Sequence, residues 1–151
     1  MSGTDSPTHK YIGASAGCWA VYGEVLTREY SDFQYAKVHP LTVHAYAVQH
    51  PGVPSPQSIQ SVTLHLVGLY VVFEMGKDPH ESLRALQRAG NHKKDFVWLD
   101  PPARPASITV VDVYEAADAA EHAERVRRWA RAVWDAWGPH HKTARRWAEI
   151  S

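Results

Sequence analysis

The stretch SPQSIQSVTLHLVGLYVVF, residues 55–73, decides the fold. Ser55 offers a side-chain oxygen to the first free amides of a helix, and Pro56 has the fixed φ and missing N–H that suit a first helical position. Ile59, Val62, Leu66, Leu69 and Phe73 then recur at helical spacing, while Leu64, Val67 and Val71 occupy the other side. A helix apolar nearly all round is a central one, and Gly76 is suited to end it. The β-branched residues would also tolerate a strand, but the length and the flanking signals favour helix. The apolar run Val62 to Phe73 is interrupted by Thr63, His65 and Gly68 and falls short of the roughly 20 residues that span a bilayer. It therefore predicts a buried core helix and no membrane span.

Towards the N-terminus, Val38, Leu41, Ala45 and Val48 form a helical stripe that Pro40 starts and His50, Pro51 and Gly52 stop. Before it, SDF (31–33) reads as a short turn. Trp19, Tyr22 and Leu26 mark a first helix capped by Ser15 and running to about Tyr30, and residues 1–13 read as an irregular arm.

Towards the C-terminus, Asp78, Pro79 and Glu81 look like the cap, first proline and capping box of a short helix that buries Leu83 and Leu86. Residues 91–106 read as a long proline-rich loop anchored by Trp98 and Leu99. Ile108 to Val113 is the one plausible strand, or the start of a helix. Val126, Trp129, Val133 and Trp137 give a long helix from Asp118, broken by Gly138 and Pro139 before a last short helix containing Trp147. The expected fold is mainly α: a single-domain helical bundle of residues 14–151, with about five helices and at most one short strand.

Composition limits the function classes. Sixteen Lys and Arg balance sixteen Asp and Glu, so no single-sign field surrounds the chain and nucleic-acid binding by bulk charge is disfavoured. Four tryptophans near the C-terminus lie among arginines, but their spacing is helical and reads as core beneath a solvated face. With one cysteine, Cys18, no intramolecular disulfide can close. That and the lack of a secretory-type N-terminus point to a reducing cytoplasm. No nucleophile-elbow, phosphate-loop or paired-cysteine motif is present.

Ten histidines are the unusual count. Neutral imidazole is the commonest metal ligand, and chelation within a helix needs i, i+3 or i+4 spacing, which no pair satisfies. On one continuous helix His39 and His50 would stand about 16 Å apart, so a site must draw ligands from separate segments. His44 lies beside Leu41 and Val48, and His65 beside Val62 and Leu69. Both sit on apolar stripes, where an unpartnered imidazole bears a desolvation cost of about 1–3 kcal/mol. Their helices should pack antiparallel, with both rings near mid-height. The metal-site candidates are thus His44 and His65, with His39, His50 and His9 as further ligands for zinc or iron, and an open position on the ion would make an enzyme of unknown reaction. The plainer reading is core histidines bonded to a carbonyl, Tyr or Gln. His80, His92 and His122 stand in polar contexts and read as solvated surface; His140 and His141 suit a helix C-terminus.

A second function class is a non-catalytic module. Cys18, Trp19, Tyr22, Tyr46 and Tyr70, with Trp98, would line an aromatic pocket for a small molecule or another protein. Cys18 by itself reads as buried packing. A homodimer through the Trp-rich C-terminal helix fits the pattern as well as a monomer does.

Four blocks carry a resemblance: THKY (8–11), GCWAVYGEVLTREYSD (17–32), VHPLTVHAYAVQHPG (38–52) and QSIQSVTLHLVGL (57–69). Together, over about residues 8–137, the chain resembles an uncharacterised family of small bacterial proteins, a domain of unknown function with no activity to transfer. Many members begin with a CPxC stretch that this chain lacks, which argues against a cysteine zinc site there. The resemblance implies that His9, Cys18, His39, His44, His50 and His65 belong to the family's motif blocks.

Overall fold

The computed structural model describes residues 16–150; Ser15, His9 and the expected arm lie outside that range. The central helix is α4 (Pro56–Phe73), one of eight helices introduced below in chain order. Ser55 is extended and its side chain accepts from Ser58 N at 3.1 Å, so the chain enters α4 as its sequence dictates. Past the end of α4, Gly76 adopts a positive φ of 67°, a conformation costly for a residue with a Cβ. Leu66, Val67 and Leu69 are fully buried, because α3, α5, α7 and α8 all pack on this helix.

Helix α1 (Ala16–Ser31) leads into a one-turn helix, α2 (Phe33–Ala36), where a turn was expected. The Asp32 side chain accepts from Gln34 N, which closes that turn into a helix. Helix α3 (His39–Gln49) has Pro40 in its first turn and stops at His50. Asp78 caps a 3-10 turn (Pro79–Glu81) that runs into α5 (Ser82–Gly90). This shifts the buried face of α5: Ser82, Ala85 and Ala89 are inside, Leu83 is exposed and Leu86 is half-buried. The expected burial of Leu83 is therefore corrected.

The candidate strand is also corrected. Residues 110–114 form α6 (Val110–Tyr114), because Thr109 accepts from Val111 N while Asp112 accepts from Thr109 N. That reciprocal cap offsets the β-branched preference of TVVDV. Helix α7 (Ala119–Ala136) is capped by Asp118, and α8 (His141–Ala148) closes the chain. Among the described residues there is no strand, and the count exceeds about five because α2 and α6 are too short to show periodicity. No helix among the described residues is long and apolar enough to cross a membrane.

Two apolar clusters flank α4. The larger joins α1, α3, α6 and α7 around the fully buried Trp129 and Trp134. Each buried indole removes about 200 Å² from water, worth about 5 kcal/mol before ordering costs. The smaller unites α4, α5 and α8 through Val67, Ala85, Phe96 and Trp147. Gln49 links the layers: its amide donates to Ile108 O and its carbonyl accepts from Trp129 Nε1, each at 2.8 Å.

Candidate functional site

Helices α3 and α4 bring His44 and His65 together. Their Nδ1 atoms are 2.8 Å apart, and the rings are tilted with centroids 5.1 Å apart. His44 is buried and His65 half-buried. On the other side of His44, Nε2 stands 2.8 Å from Ser82 Oγ at the start of α5. Mid-helix Gly68 leaves room for this ring, since a Cβ there would come within 2.4 Å of His44 Nε2.

The network fixes the proton positions. Ser82 has one hydroxyl proton and donates it to Pro79 O at 2.6 Å. Its oxygen therefore accepts from His44 Nε2–H, which leaves Nδ1 of His44 as an acceptor for His65 Nδ1–H. Burial, followed by the nearby His65 and His39, holds His44 well below the usual histidine value. Burial alone pushes His65 down to about 4. Both rings are neutral at pH 7, the form that binds metals.

His39 belongs to a different cluster. Its Nδ1 donates to Glu29 Oε1 at 2.9 Å, while Glu29 Oε2 accepts from His122 Nε2 at 2.7 Å and Thr42 Oγ1 at 2.5 Å. Arg28 Nη1 stands 3.4 Å from His122 Nδ1 and also donates to Val113 O, while its Nη2 donates to Tyr114 O, so a cation lies next to the carboxylate's partner. Both Glu29 and His122 are buried, which corrects the expectation that His122 is solvated surface. The signal was present: Glu29 continues the stripe of Tyr22 and Leu26, and His122 stands four residues before Val126 and seven before Trp129. The donors satisfy a buried charge that would otherwise be costly.

The other candidates disperse. His50 lies tilted against Tyr46, with ring centroids 4.4 Å apart. His80 Nε2 donates to Ala36 O, His140 Nε2 to Asp100 O, and His141 Nε2 to Trp134 O, a carbonyl near the end of α7. Among the described residues, no group of three His, Cys, Asp or Glu is arranged to hold an ion.

The aromatic candidates split into two places. Trp19, Tyr22 and Tyr46 form one cluster, with Tyr22 and Tyr46 stacked at 3.8 Å and both buried beside Cys18. Tyr70 stands elsewhere, edge-on to Trp134 and donating to Glu149. Burial and the Glu149 bond raise its phenol above the usual value. A small apolar cavity of about 140 Å³ is lined instead by Gln49, Pro101, Pro105, Val133 and Trp137.

No curated protein and no solved structure matches the chain. A family model covers residues 4–138, and on that match the chain belongs to the family described as "Family of unknown function (DUF5946)".

Proposed function

We propose that this protein binds a metal ion, zinc or iron, between Nδ1 of His44 and Nδ1 of His65. The observation that supports it is the pair of facing Nδ1 atoms at 2.8 Å, with the other nitrogen of His44 bonded to Ser82. Ligand nitrogens about 2.0–2.1 Å from one ion stand roughly 2.9–3.3 Å apart, so little widening is needed when the ion replaces the shared proton. Imidazole suits both metals. A ligating histidine characteristically donates its second N–H to a fixed acceptor, the role Ser82 has for His44.

Metal ligation is favoured over proton abstraction by the low basicity of the pair. A base held near 4 is about a thousandfold too acidic to serve well at pH 7, whereas a ligand must only be neutral. Two imidazoles leave coordination positions open, and water bound there would be acidified and available for reaction. A cytoplasmic setting suits the single cysteine.

The test is elemental analysis of protein purified without a histidine tag, joined to thermal shifts in zinc and ferrous salts. One ion per chain is expected, lost in both His44→Ala and His65→Ala and retained in His80→Ala. Affinity should fall about 10–100-fold in Ser82→Ala. Protein that carries no stoichiometric metal and shows no shift with either ion would overturn the reading.

A further inference from the structure

The outward face of α5 carries an unbalanced set of cations. Arg84 and Arg88 are four residues apart on one helical face, an arrangement that is mildly unfavourable when both are charged. Neither makes an ion pair among the described residues, and neither does Lys77 beside them. The contrast within the molecule is plain: Arg125, Arg128, Arg131 and Arg145 each meet a carboxylate one helical turn away. Other cations of the chain also lack an ion pair, but Lys77, Arg84 and Arg88 stand together along one groove where α4 ends and α5 begins.

These cations line a groove of about 640 Å³, a size common for small-ligand sites. Its apolar wall is Val71, Ala85 and the exposed Met75. Glu81 and His80 also line it, and His80 reaches a neighbouring groove with Lys37 and Arg127. We infer that the α4–α5 groove binds a small amphipathic anion, one carrying a phosphate or carboxylate head on a short hydrocarbon chain. Guanidinium forks match the planar, two-oxygen edge of such a head group. The thioether and aliphatic wall accounts for the chain, which an inorganic anion does not have.

This inference is independent of the metal reading, because the groove shares no residue with the His44–His65 pair. The experiment is isothermal titration calorimetry of the full chain with octyl phosphate, kept below its micelle-forming concentration. Parallel titrations use inorganic phosphate, octanol and phosphatidylglycerol vesicles. One saturable site per chain is expected for octyl phosphate, with phosphate and octanol each at least about tenfold weaker. The double variant Arg84→Glu with Arg88→Glu should weaken octyl phosphate at least about tenfold. Arg104→Glu with Lys142→Glu, the same change in net charge outside the groove, should leave it within about twofold. Failure to saturate, equal binding of inorganic phosphate, equal loss in both double variants, or binding to vesicles alone would each overturn the inference.

Discussion

Gly68 faces the imidazole of His44 so closely that an added Cβ would lie 2.4 Å from its Nε2 and 2.5 Å from its Cδ2. A glycine in the middle of a long helix costs about 1 kcal/mol relative to alanine, and here the missing methyl is the space the ring occupies. Helix propensity and packing therefore oppose each other at this position.

Gly68→Ala is expected to destabilise the protein by about 1–3 kcal/mol despite the better helix former, because His44 is held between α4 and Ser82 and has little room to retreat. Urea denaturation checks it. A stabilised variant would show that the ring moves aside freely and that the His44–Ser82 bond is not fixed by packing.

Glu29 should be the most sensitive polar position. Glu29→Ala removes the acceptor shared by His39, His122 and Thr42 and leaves buried donors unpartnered, for an expected loss of about 3–5 kcal/mol. Thr42→Val removes one bond to the carboxylate and should cost about 1.5–3 kcal/mol. Equilibrium unfolding of the two variants tests the order. If Thr42→Val costs as much as Glu29→Ala, the carboxylate is not the hub of this cluster.

The long helices were legible because each carries a repeating apolar stripe and a cap in the chain itself. The one-turn helices α2 and α6 were not. Residues 110–114 span little more than one turn, so their β-branched side chains speak for a strand, and only the reciprocal bonds of Thr109 and Asp112 make them helical. The pairing of His44 with His65 was open to inference from two stripes on helices joined by a short proline loop. Ser82 was not, since its partnership depends on how the turn after Gly76 aims α5. Glu29 and His122 show the opposite case: the periodicity that placed Tyr22 and Trp129 inside places them inside too, although the polar neighbours of His122 speak for the surface.

The histidine pair makes stability depend on pH in a stated direction. His65 titrates near 6.5 unfolded and is held at about 4 in the fold, and His44 is lowered as well. Between those values the unfolded chain binds more protons, so the folding free energy contributed by these neutral rings is intact above about pH 6.5. It is lost as pH falls towards 4. For His65 the slope approaches about 1.4 kcal/mol per pH unit in the middle of that window. Urea midpoints measured from pH 7 to pH 4 should show this decline, and His65→Gln should flatten it by about one proton. An unchanged slope in the variant would mean that His65 is protonated alike in both states.

Tyr46 gives the sharpest small prediction. Its ring is fully buried and stacked on Tyr22 at 3.8 Å, yet its hydroxyl has no hydrogen-bond partner among the described residues, and burial raises the phenol well above its ordinary value. Desolvating a hydroxyl without a bond costs about 1–3 kcal/mol, while the stack itself needs only the ring. Tyr46→Phe should therefore keep the fold and raise its stability by about 1 kcal/mol in chemical denaturation, whereas Tyr46→Ala should cost about 3–5 kcal/mol through lost packing. A loss of more than about 1 kcal/mol in Tyr46→Phe would show that the hydroxyl contributes a favourable interaction. The packing account of this aromatic cluster would then have to give way to one in which the phenol group itself is used.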